Sequence, residues 1–123
     1  MIETWLDLEQ KVVYQKATGE ITWTDILQAM ATALADENYA QCDKSCWNFT
    51  EAKAQLSLHE IDSDIDSLHR NVVAQSHKKK MAWITASELG KSVVELYLNN
   101  YDWADDWQVF TDLEIAKAWL LAD

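Results

Sequence analysis

Four times in this chain a Ser or Thr is followed three residues later by an acidic residue and then by an apolar stripe at helical spacing. The four are Thr22-x-x-Asp25, Ser57-x-x-Glu60, Thr85-x-x-Glu88 and Thr111-x-x-Glu114. Each resembles a capping box. The hydroxyl accepts from an orphan N–H of the first helical turn, and the carboxylate reaches back to the cap N–H. Ahead of each box lies a short apolar or alternating run with the pattern of a strand. A chain that repeats strand, cap and helix is confined to alternating β and α elements, with right-handed crossovers and a mostly parallel sheet.

The chain opens with two alternating segments, Trp5 to Glu9 and Lys11 to Thr18. They read as an antiparallel pair with a tight connection near Gln10. Gly19-Glu20 ends the second strand. Behind the cap at Thr22, Ile26, Leu27, Met30, Ala33 and Leu34 form a helical stripe. A third strand runs from Ser45 to Thr50. The helix opened by Ser57 carries Ile61, Ile65, Leu68 and Val72 on one face. Met81 to Thr85 is a continuous apolar run, fitting a strand buried on both sides. Thr85, or Ser87 alone, caps a helix with Leu89, Val93, Leu96 and Tyr97, whose first turn Gly90 weakens by roughly 1 kcal/mol relative to Ala. Trp107 to Phe110 is the last strand. The box at Thr111 opens a final helix with Ile115, Ala118, Trp119 and Ala122 as its apolar face. The order is ββαβαβαβα: an α/β, mixed five-stranded sheet, its first strand antiparallel, flanked by four helices.

At 123 residues, without Pro, repeats or a low-complexity linker, the sequence reads as one domain spanning 1–123. Ten Lys and Arg against 21 Asp and Glu leave a net charge of −11, which opposes binding to nucleic acid or to an anionic membrane surface. No window reaches the ~20 apolar residues of a membrane span. The start lacks the basic and apolar pattern of a signal peptide. A cytoplasmic location is the simplest expectation. The one basic cluster, His77 to Lys80, reads as a solvated turn that favours the C-terminal dipole of the preceding helix. Cys42 and Cys46, without neighbouring His, make no zinc site and read as reduced structural residues.

With the element order in hand, three phrases carry a resemblance. They are Gly19-Glu20-Ile21-Thr22-Trp23, Trp47-Asn48-Phe49-Thr50-Glu51-Ala52, and Val109-Phe110-Thr111-Asp112 with Ala116, Trp119 and Leu120. In order and spacing they resemble the SpoIIAA-like (STAS/SEC14-type) family of small bacterial proteins, across nearly the whole chain. The resemblance implies a STAS-like fold, with an antiparallel first strand and four helices. It also implies a phosphorylatable Ser after the third strand, in an Asp-Ser or Asp-Ser-Ser-Gly phrase. The matching place is Leu56-Ser57-Leu58-His59, where the Ser is present and the preceding Asp and following Gly are not. Ser57 reads first as a helix N-cap, worth about 1 kcal/mol.

No set of residues completes a catalytic motif. Asp62-x-Asp64-x-Asp66 fails as a calcium loop, since Ser67 and Val73 stand where Gly and Glu are needed. His59, His69 and His77 have no partnering nucleophile motif. Tyr101 to Trp107 is an acidic, aromatic segment, read as cover for the sheet edge. In open α/β sheets ligands gather beyond the carboxyl ends of parallel strands. Ser57, His59, Thr85, Ser87 and Thr111 are therefore the candidate binding or regulatory edge, with no metal and no cofactor. The leading expectation is a non-enzymatic binding or regulatory module acting on a protein partner. The alternative is a carrier or sensor of a small apolar, lipid-like molecule in an internal pocket. A homodimer is compatible with either.

Overall fold

The computed structural model describes residues 1–54, 70, 79–100 and 106–122. Five strands form one sheet in the order of the chain: β1 (Ile2–Asp7), β2 (Val12–Ile21), β3 (Lys44–Ala54), β4 (Lys80–Ile84) and β5 (Asp106–Phe110). β1 is antiparallel to β2, and every later pair is parallel. Three α-helices stand among the described residues: α1 (Trp23–Ala35), α2 (Glu88–Asn100) and α3 (Leu113–Leu121). Four helices were expected. The fourth, opened by Ser57, falls on residues outside the described set, apart from Arg70, which is helical. A 3-10 turn at Tyr39–Gln41, absent from the sequence reading, leads into β3.

The hairpin turn is built by Asp7, whose carboxylate accepts from the N–H groups of Glu9 and Gln10, each at 3.0 Å. Lys11 takes a left-handed backbone, φ 60°, and its carbonyl accepts from Asp43 and Lys44. The turn thus ties the start of β3 to the start of β2. At the other end of β2, Gly19 has φ +74°, a conformation favouring glycine. Thr22 and Asp25 complete the reciprocal box on α1: Asp25 N–H donates to Thr22 Oγ1 and Thr22 N–H to Asp25 Oδ2.

Alternate strand residues separate two cores. On one face Trp47, Phe49, Met81, Trp83 and Val109 pack against α1 and α2 through Ile26, Met30, Val94 and Leu98. The rings of Trp47 and Trp83 stack 4.8 Å apart, with Phe49 5.3 Å from Trp83. On the other face Val12, Cys46, Ala82 and Ile84 meet Ala116 and Leu120 of α3. Met81 to Ile84 is buried throughout, because helices cover both sides of β4.

Two expected helix faces are displaced by one position. On α2 the buried residues include Val94 and Leu98, whereas Leu89 and Leu96 are exposed. On α3 they are Ala116 and Leu120, and Ile115 is 61% exposed. The cap of α3 is also different from the expected Thr111. Asp112 has the extended backbone of an N-cap, and its carboxylate accepts from Ile115 N–H at 3.0 Å. The helix therefore starts one residue later than a Thr111 box requires. A one-residue shift turns a helix by about 100°, which is enough to exchange the buried face.

Candidate functional site

The best-formed part of the carboxyl edge is the turn from β4 into α2. Thr85 extends the β4–β5 pairing by one bond, donating its N–H to Phe110 O at 2.9 Å. Its side chain is buried and donates from Oγ1 to Ser87 O at 3.0 Å. That carbonyl also accepts the first helical bond, from Lys91 N–H at 3.0 Å. Ser87 Oγ in turn accepts from Gly90 N–H at 3.1 Å, so Ser87, rather than Thr85, caps α2. Two of the candidate edge residues are thus brought together, and each holds the turn. Thr111 lies at the end of β5, exposed, ahead of the Asp112 cap. Ser57 and His59 lie outside the described residues.

Behind this turn is a pocket of about 340 Å³. Its walls are Phe49 and Ala52 of β3 and Leu89, Val93 and Val94 of α2, with Thr85 and Ser87 as its polar end. None of the described residues that line it is charged. Leu89, 77% exposed, stands at this pocket. Sequence reasoning found the hydroxyls and missed the apolar walls. The one signal available was Gly90, a helix-weakening residue in a first turn that has no need of a left-handed backbone.

The basic cluster is a correction. Lys79 is only 5% exposed, and its ammonium lies 4.0 Å from the centroid of the Tyr39 ring. It donates to the carbonyls of Tyr39 and Cys42, pinning the 3-10 turn. Burial holds its pKa below the usual lysine range, opposed by the neighbouring Cys42 and Asp43. Lys80 donates to Trp119 O and Ala122 O at the end of α3. These two lysines are internal fastenings, not a solvated turn; His77 and Lys78 lie outside the described residues. Long-range partners drew the ammonium groups inward, and no local pattern announces such partners.

Cys42 and Cys46 are both free and buried, in separate apolar clusters. Burial pushes the Cys46 thiol up to about 11 and raises that of Cys42. Such thiols are poor nucleophiles near neutral pH. Among the described residues no group of three His, Cys, Asp or Glu side chains could hold a metal ion. Among them, too, no helix is long and apolar enough to cross a membrane.

No family model matches the sequence, and no curated protein matches it. Solved structures do. An uncharacterised protein of the DUF3478 family with a SpoIIAA-like fold, from Shewanella loihica PV-4, superposes with a TM-score of 0.60 at 20% identity, covering 98% of this chain and 92% of that one.

The chain has a SpoIIAA-like fold.

The same fold is seen in the anti-sigma factor antagonist SpoIIAA in its unphosphorylated form, with a TM-score of 0.57 at 13% identity over 96% of this chain and 94% of that one. The Bacillus cell fate determinant SpoIIAA in its phosphorylated form gives 0.53 at 13% identity, over 96% and 98%. The antiparallel first strand and the parallel strands after it are the features that the resemblance implied. At these identities the likeness concerns the SpoIIAA-like backbone alone.

Proposed function

We propose that this protein is a non-enzymatic binding or regulatory module of the STAS-like type, working in the cytoplasm on a protein partner at the carboxyl edge of its sheet. The observation that carries the reading is Leu89, a large apolar side chain 77% exposed beside an apolar concavity. Exposed apolar surface next to a hollow is what an interface anchor leaves when its partner is absent. Thr85 Oγ1 donates into the turn and Ser87 Oγ accepts there, and among the described residues no acid–base pair lines the pocket. The fold shared with SpoIIAA, an anti-sigma factor antagonist, supports the same reading. The test is affinity capture by the wild-type chain and by Leu89→Asp, with quantification of co-purifying proteins. A stoichiometric partner lost on substitution is the expected result. Turnover of a substrate panel, abolished by Ser87→Ala with the fold intact, would sink the proposal.

A second reading, a carrier or sensor of a small apolar molecule, is favoured by the pocket itself. Its 340 Å³ falls at the lower end of ligand-site volumes, about 300–1,000 Å³. Native and denaturing mass spectrometry of one sample tests it. Extra mass in the native spectrum alone is the expected sign of a retained ligand.

A further inference from the structure

We infer that the pocket at the first turn of α2 takes an uncharged, chiefly apolar small molecule bearing one hydrogen-bond acceptor, and that Gly90 keeps the room for that acceptor. This rests on the carrier reading above. The volume, about 340 Å³, suits a small molecule better than one partner side chain, which would leave most of it empty.

The charge of the ligand follows from the walls. Phe49, Ala52, Leu89, Val93 and Val94 offer no counter-ion, and an unpaired ion in such a place is costly. The positive end of the α2 dipole favours an anion. Glu88 in the same first turn and a net charge of −11 oppose one.

The polar end follows from the hydrogen bonds. Ser87 Oγ accepts the Gly90 N–H, and a serine hydroxyl that accepts still has its own proton to donate. A carbonyl or ether oxygen on the ligand is its complement.

The chain has two glycines. Gly19 has a backbone reason, φ +74°, whereas Gly90 is an ordinary helical residue at a position where glycine weakens the helix. A Cβ on Gly90 would stand 3.3 Å from Ser87 Oγ, 3.4 Å from Thr85 Cβ and 3.7 Å from Thr85 Oγ1, at the polar end of the pocket. Leaving that Cβ out preserves access to the Ser87 hydroxyl, whose proton is the one left to donate, since Thr85 Oγ1 gives its own to Ser87 O.

The test uses two fluorescent probes on the whole chain: prodan, an uncharged naphthyl ketone, and anilinonaphthalene sulfonate, an anion. Prodan should bind one-to-one with blue-shifted emission and move the amide resonances of Ala52, Thr85 and Gly90. Gly90→Leu, which fills the pocket, should weaken prodan at least about tenfold, the effect of about 1.4 kcal/mol of lost contact. Unchanged prodan binding in a folded Gly90→Leu protein, or amide shifts confined to another surface, overturns the inference. Should Gly90→Leu fail to fold, the wild-type amide map decides alone. Binding of the sulfonate in this pocket with prodan excluded overturns the uncharged class and leaves the carrier reading standing. Silence from both probes, with no retained mass in the native spectrum, removes both.

Discussion

Lys80 Nζ lies 4.4 Å from the centroid of the Trp119 ring and donates 2.6 Å to the Trp119 carbonyl, with a further bond of 3.2 Å to Ala122 O. One side chain from the first residue of β4 thereby closes the last turn of α3. It satisfies orphan carbonyls, places positive charge at the negative end of the helix dipole, and covers an indole.

Lys80→Met keeps the stem and removes the charge and both bonds. It should cost about 1–2 kcal/mol in urea unfolding, with an unchanged m-value. A cost indistinguishable from zero would mean that water serves those carbonyls equally well.

The start of the same helix separates two caps. Asp112→Ala should lose about 1 kcal/mol, as other N-cap removals do. Thr111→Ala should stay within about 0.5 kcal/mol, because Thr111 is exposed and the helix bond at this end goes to Asp112. The reverse order in thermal denaturation would restore the cap to Thr111.

Gly19 tests backbone strain in isolation. An added Cβ there meets nothing within 4 Å, so a substitution acts through φ alone. Gly19→Ala should destabilise by about 1–2 kcal/mol, and Gly19→Asn by less, since Asn tolerates the left-handed region. Equal losses for the two variants would point to a cause other than φ.

Alkaline titration should expose Cys46. Its thiol is raised from an ordinary 9.0 to about 11 in the fold, first by burial. The native state therefore keeps its proton while the unfolded chain ionises. The contribution is fully present below pH 9 and is lost as pH rises toward 11, by about 3 kcal/mol. Tyr39, raised from 10.0 to about 12, adds in the same direction between those values. Lys79, with its pKa lowered, opposes both below its ordinary 10.5. Cys46→Ala isolates the thiol: the variant starts less stable and falls less steeply from pH 9 to 11. Parallel curves for the two proteins would refute the assignment.

The strands, the capping box at Thr22 and the antiparallel start were legible because each depends on neighbours a few residues away. Met81 to Ile84 is apolar at every position, and only a strand covered on both faces explains that. The pocket was half legible. Thr85 and Ser87 stood out as hydroxyls at a strand-to-helix turn, while nothing in the local pattern marked Phe49, Ala52 and Val94 as walls of a cavity. A cavity is a shortfall in packing among residues far apart in the chain, and composition does not record it.

The sequence by itself determined the alternation of strand and helix, the direction of the first strand and the acidic surface. These follow from periodicity, local hydrogen bonding and charge, which act over a few residues. Only the tertiary structure decided which stripe of α2 and α3 met the sheet, because both helices carry apolar residues on adjacent stripes and the strand register selects between them. It also decided the fate of Lys79 and Lys80. Their bonds to Tyr39, Cys42, Trp119 and Ala122 span 37 to 42 residues. Contacts of that range exist only after the sheet has brought distant segments together.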